Sequence, residues 1–163
     1  MANGNTTQRK AYEVLTAFRV FDLLQPFQPV LAGTIPLAID IPDSDLDLIC
    51  CWEEEAAFAE YVTHHFGHFP DFQLSQKLIR QRPTVLARFT AGDFPIEIFG
   101  QNRPAAEQEA VRHLLVEYAI LQERGEAFRQ AVIDLKMAGM KTEPAFGRLL
   151  GMEGGDAYEQ LLR

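Results

Sequence analysis

Apolar positions near the start of the chain fall at helical spacing: Tyr12, Leu15, Phe18 (or Arg19), Phe21 and Leu24. The spacing predicts a helix capped by Thr6 or Thr7 and ended by Pro26 and Pro29. Pro29-Val30-Leu31-Ala32 then reads as a short strand stopped by Gly33, and a loop punctuated by Pro36 and Pro42 runs from Thr34 to Ser44. The run Asp45-Leu46-Asp47-Leu48-Ile49-Cys50-Cys51 reads as a second strand. Residues Glu53 to His65 predict a helix whose first turn is acidic, as the helix dipole favours, with Gly67 as its stop.

Three more strands follow, Phe72 to Ile79, Thr84 to Thr90 and Pro95 to Gly100, the last two joined by the turn Ala91-Gly92-Asp93-Phe94. Pairing symmetric about Gly92-Asp93 sets Arg88 opposite Glu97 on one face, and a slip of one residue would part them. From Pro104 the pattern is helical, to about Arg124 and again from Glu126 to about Ala138, with Gly139 as a C-terminal stop. Residues 144 to 163 predict one or two short helices. Lys141-Thr142-Glu143-Pro144 reads as a helix start, Thr142 capping and Pro144 in the first turn. The order predicts an α+β fold: a small mixed β-sheet with helices packed on one face and a helical C-terminal part. We expect one domain over residues 1–163, with a core of about 10–103 and the helical part at about 104–163.

Composition adds limits. The chain has 163 residues, 47% hydrophobic and 23% charged, the profile of an ordinary globular protein. No apolar run is long enough to span a bilayer, and Met1 to Lys10 lacks a signal-peptide core, so a cytoplasmic location is expected. A formal net charge of −8 argues against holding a long nucleic acid through the overall field, and leaves small anionic substrates and small-molecule or protein acceptors. Cys50 and Cys51 are neighbours in a strand and point to opposite faces, which predicts reduced thiols rather than a disulfide framework. Phe66, Phe69 and Phe72 read as core. His64, His65 and His68 read as a polar helix end, since a zinc site there lacks a fourth ligand.

The candidate chemistry lies in three acids. Asp45 and Asp47 are two apart in a strand, so both carboxylates lie on one face and repel unless a cation neutralises them. Glu97, flanked by Ile96, Ile98 and Phe99, is a carboxylate in an apolar strand that needs a partner. If its strand lies beside the one bearing the aspartates, the three converge into a set able to hold two metal ions for in-line phosphoryl or nucleotidyl displacement. Magnesium fits, as a hard ion that takes oxygen ligands and shares substrate phosphates. Gly33 lets the backbone approach phosphate oxygens, and the Thr34 hydroxyl can donate to them. Alone, Asp-X-Asp is common at strand starts; the Gly-Thr before it and the Glu after it favour a site.

Gly33-Thr34 … Pro42-Asp43-Ser44-Asp45-Leu46-Asp47-Leu48 resembles the motif of the small, minimal members of the polymerase-β-type nucleotidyltransferase superfamily, which runs Gly-Ser, about ten residues, Ser-Asp-X-Asp, then a third acid on a later strand. Longer phrases, among them PVLAGTIPLAIDIPDSDLDLIC, IEIFGQNRPAAEQ, RHLLVEY, LKMAGMKTEPAF and the GDAYEQLL ending, resemble a bacterial family of uncharacterised proteins placed near that superfamily. The resemblance implies a nucleotidyltransferase-like fold with Asp45, Asp47 and Glu97 as metal ligands, Glu97 also orienting or deprotonating the attacking hydroxyl. The implied cofactor is Mg2+, two ions, with Mn2+ as the alternative. The implied partner is a nucleoside triphosphate, ATP first, held by Gly33, Thr34 and Ser44. Two departures stand out. Thr34 replaces the usual Ser, and Ile35-Pro36-Leu37-Ala38-Ile39 stands where minimal members often place arginines, so cations for a triphosphate must come from elsewhere.

Other candidates each carry a plainer alternative. Arg88 is a phosphate contact or a cross-strand ion pair with Glu97. Lys141, before a helix N-terminus, is a phosphate contact or part of a simple helix start. Arg103, Arg112 and His113 are candidates for the acceptor side; for Arg112 the alternative is a solvated helix face, for His113 a hydrogen-bonded core histidine. Two functions follow: a metal-dependent transferase moving a nucleoside monophosphate to a hydroxyl of a small molecule or protein, or a non-catalytic nucleotide-binding or protein-interaction module on the same fold. A two-metal phosphohydrolase is disfavoured, because no histidine has an evident ligand spacing to the aspartates.

Overall fold

The computed structural model describes residues 1–152 and 156–162; residues 153–155 and 163, part of the expected helical tail, lie outside the described residues. Strands β1 (Val30–Ala32), β2 (Leu46–Cys51), β3 (Gln73–Ile79), β4 (Arg82–Ala91) and β5 (Phe94–Gln101) form one sheet in the order β1-β2-β5-β4-β3. β2 and β5 run parallel and the remaining pairs antiparallel, so the sheet is mixed. The β4–β5 hairpin has the expected register, with Ala91 paired to Phe94 and Arg88 to Glu97.

Alternation along β2 and β5 separates two faces. Leu46, Leu48, Ile96 and Ile98 point into the main core, where Ala11 and Leu15 of helix α1 (Thr6–Ala17) and Phe58 and Val62 of helix α3 (Glu55–Phe66) cover them. Each large apolar side chain withdrawn from water here contributes about 1.5–3 kcal/mol. The opposite face carries Asp47, Ile49, Glu97 and Phe99. At its β1 end, Ala32 and Ile49 pack on Val111 of helix α4 (Glu109–Arg124). Helix α5 (Glu126–Met137), helix α6 (Thr142–Leu149) and helix α7 (Ala157–Leu161) join α4 around a second core that includes Leu121, Val132 and Phe146. The helical C-terminal part thus stands beside one edge of that face and leaves the rest open above the acids.

Three boundaries differ from expectation. Asn5, not Thr6 or Thr7, caps α1, in a reciprocal capping box with Gln8. The first helix does not run on to Leu24. It breaks at Arg19, whose φ is 53°, and restarts as helix α2 (Val20–Leu24), which seats Val20 and Leu24 fully in the core. Lys141, not Thr142, is the N-cap residue of α6, and no side chain caps that end. Cys50 and Cys51 are free; burial pushes the Cys50 thiol up to about 12, which keeps it unreactive. Phe66 is fully buried, with Phe69 and Phe72 packed against the same core. No helix among the described residues is long and apolar enough to cross a membrane.

Gln108, 1% exposed, donates from Nε2 to the carbonyls of Cys50 (2.8 Å) and Arg103 (2.9 Å). It bridges the end of β2 to the start of α4.

Candidate active site

The parallel pairing of β2 with β5 sets Asp47 directly beside Glu97, and Asp45 precedes β2 on the same face. All three acids line a cleft of about 490 Å³. Burial pushes the Asp47 carboxyl up to about 7; the Asp45 and Glu97 charges push the same way and Arg88 only partly opposes them. Such uncompensated negative charge, offered by an all-oxygen donor set, fits a hard divalent cation. Asp45, Asp47 and Glu97 share the cleft but are not among the ligand-spaced groups of the described residues. Glu97 Oε2 accepts a hydrogen bond from Arg88 Nε at 2.7 Å, and Arg88 Nη2 stands 2.7 Å away as the ion pair. The expected ion pair is therefore present, and Arg88 also lines a side hollow with Asp45 and Glu97.

The loop above Asp47 explains the missing arginines. Ile35, Leu37 and Ile39 are buried, the first in the main core and the others in the C-terminal core. Their carbonyls are met from other elements: Gln8 Nε2 donates to Ile35 (3.0 Å) and Pro36 (3.1 Å), Arg129 to Leu37, and Lys136 Nζ to Ile39 (2.7 Å). The loop is clamped rather than free to wrap a ligand. Ser44 braces its exit, its Oγ accepting from the Ile41 amide at 3.0 Å and lying 3.4 Å from Thr34 Oγ1. Gly33 has φ +78°, and a Cβ there would lie 2.2 Å from Asp47 Oδ2. Only glycine leaves that oxygen its place.

A second hollow of about 380 Å³ has Thr34, Ser44, Lys136, Lys141 and Thr142 in its lining, together with the acids Asp43, Asp45 and Glu143. Two lysines and the N-terminus of α6 therefore share this hollow with three carboxylates, and Lys136 already donates to the Ile39 carbonyl.

The other expected residues divide. Gly33, Thr34, Arg103 and His113 line the main cleft with the acids. Arg112 does not; it is exposed and reaches toward the Leu162 carbonyl at 3.4 Å. His113 is buried as its apolar neighbours suggest, and its Nδ1 has no hydrogen-bond partner among the described residues. Burial lowers its pKa. Glu117, Glu143 and Tyr158 also line the cleft and were not marked by the sequence motif. The signal for Glu117 was its place one helical turn after His113.

The family model described as a domain of unknown function (DUF4269) matches residues 13–163. No curated protein matches the sequence. Among solved structures, the Cid1 poly(U) polymerase bound to MgGTP superposes with a TM-score of 0.58 at 13% identity, over 82% of this chain and 42% of that one. The GLD-2/RNP-8 complex gives 0.57 at 11% identity, over 88% and 56%. A cytoplasmic RNA terminal U-transferase gives 0.54 at 12%, over 82% and 39%. The similarity is one of fold, the polymerase-β-type nucleotidyltransferase fold, and this chain spans 39–56% of the length of these neighbours.

Proposed function

This chain belongs to the DUF4269 family, and we propose that it is a magnesium-dependent nucleotidyltransferase that moves a nucleoside monophosphate from a nucleoside triphosphate to a hydroxyl on a small molecule or protein. The observation that carries this is the placement of Asp45, Asp47 and Glu97 on the open sheet face, beneath a glycine with no room for a side chain.

Each residue has a distinct task. Asp45 and Asp47 hold the metal, with Glu97 completing the set. Mg2+ (or Mn2+) held by these acids would neutralise triphosphate charge and supply Lewis-acid activation. Gly33 and Thr34 approach the phosphates from above. Lys136, Lys141 and the α6 N-terminus receive the outer phosphates and the departing pyrophosphate in the adjoining hollow. Glu97, drawn away from Arg88, orients the acceptor hydroxyl and takes its proton. Arg103 and His113 lie on the acceptor side. The net charge of −8 supports a small or protein acceptor over a long RNA, although the fold neighbours include an RNA terminal U-transferase.

One observation favours the second reading, a non-catalytic binding module: Glu97 is engaged by Arg88 through a hydrogen bond and an ion pair. Incubation of the protein with α-labelled triphosphates, Mg2+ and pools of hydroxyl metabolites, proteins or RNA separates the two. Label transfer that vanishes with Glu97→Gln supports the enzyme. Nucleotide binding without transfer to any acceptor class supports the module.

A further inference from the structure

Across the cleft from the three acids lies a second constellation of different chemistry. His113 and Glu117 are one turn apart on α4 and so share a face. Glu143 reaches them from the first turn of α6. One imidazole nitrogen and one oxygen from each carboxylate all lie within 4.8 Å of one another. His113 is 6% exposed and Glu117 4%, yet His113 Nδ1 and Glu117 Oε1 have no hydrogen-bond partner. Buried polar atoms left this way destabilise the fold unless something fills the space between them. Lys136 lies within electrostatic reach of Glu117, but its ammonium donates to the Ile39 carbonyl and leaves Glu117 Oε1 without a hydrogen bond.

We propose that His113, Glu117 and Glu143 bind one divalent transition-metal ion of the zinc class. An imidazole with two carboxylates suits Zn2+, Co2+ or Mn2+, whereas the all-oxygen set opposite suits Mg2+. Ligand atoms of a tetrahedral zinc ion stand roughly 3.3 Å apart, from bond lengths of about 2.0–2.2 Å, so modest side-chain rotation closes the site. Glu143 is half-buried and has room to swing. Tyr158 lies within electrostatic reach of Glu143 and sets its ring edge-on to His113, 6.0 Å between centroids, next to two of the ligands. Three protein ligands leave a fourth position, and all three line the main cleft, so that position opens onto it. The site does not depend on nucleotide transfer.

The test is Co2+ titration of the metal-stripped full chain with excess Mg2+ present throughout, followed by the visible d–d absorption and by Zn2+ displacement. We expect one Co2+ per chain, displaced by Zn2+, with affinity unchanged in Asp45→Asn/Asp47→Asn. Glu143→Gln, at a half-buried position, should weaken binding at least tenfold while the circular dichroism spectrum stays the same; His113→Ala should abolish it. Wild type that takes up no Co2+ overturns the proposal. So does equal affinity in Glu143→Gln, or loss of the ion in the Asp45/Asp47 variant, which would place it at the other acids. None of these outcomes affects the label-transfer test above.

Discussion

Gly33 and Asp47 compete for one space: a Cβ on Gly33 would lie 2.2 Å from Asp47 Oδ2. The glycine that ends β1 is therefore a condition for the position of the carboxylate on β2. Gly33→Ala should cost about 1–3 kcal/mol through its φ of +78° alone. It should also push Asp47 from its place and weaken Mg2+ binding. Thermal unfolding with and without Mg2+ checks this, and an alanine variant that Mg2+ stabilises as strongly as wild type would contradict it.

The Arg88–Glu97 pair should matter little for stability and much for the site. Arg88 is 64% exposed, so Arg88→Ala should change unfolding free energy by under about 1 kcal/mol. With its competitor gone, Glu97 becomes available to a cation, and Mg2+ affinity should rise a few-fold. Titration calorimetry reads the change; a fall in affinity would mean that Arg88 supports the metal site instead of competing with it.

Stability of the metal-free protein should fall as pH rises. Burial raises the Asp47 carboxyl to about 7 and Glu117 to about 8. In both, the folded state holds a proton that the unfolded chain releases above its ordinary carboxyl value. Their contribution is fully present below that value and is lost as pH climbs through 7 and 8. Urea unfolding in chelator at several pH values between 5 and 9 should show the decline, and Asp47→Asn and Glu117→Gln should each flatten it. Stability rising over that range would contradict the burial.

Gln108→Ala removes both Nε2 hydrogen bonds, one to Cys50 of β2 and one to Arg103 before α4, and strands two carbonyls. We expect a loss of about 2–4 kcal/mol, measured by chemical denaturation. A change below about 0.5 kcal/mol would show that the junction is held by apolar packing alone.

Much of this was legible in the sequence where local rules govern. The Gly92-Asp93 turn sets the hairpin register, and with it the meeting of Arg88 and Glu97, because a tight turn leaves few ways to pair. The two-residue spacing of Asp45 and Asp47 placed them on one face for the same reason of strand geometry. What depended on distant packing was not legible. The parallel pairing of β2 and β5 could only be stated as a condition, since more than forty residues separate the strands. Nothing local marks Arg19 as the break in the first helix; it follows from the need to seat Val20 and Leu24 in the core. Ile35, Leu37 and Ile39 looked like lost arginine positions until two separate cores claimed them. Glu143 joins His113 and Glu117 only because α6 packs back toward α4, a long-range event with no signature near residue 143.

The central claim is that Asp45 and Asp47 hold a metal that in turn holds a nucleoside triphosphate. The direct measurement is binding of ATP, GTP, CTP and UTP in the presence of Mg2+ to wild type and to Asp45→Asn/Asp47→Asn, with fold checked by circular dichroism. Wild type should bind at least one of them, only when Mg2+ is present, and the double variant should bind none. Equal binding by both proteins, or none by either, would contradict the claim.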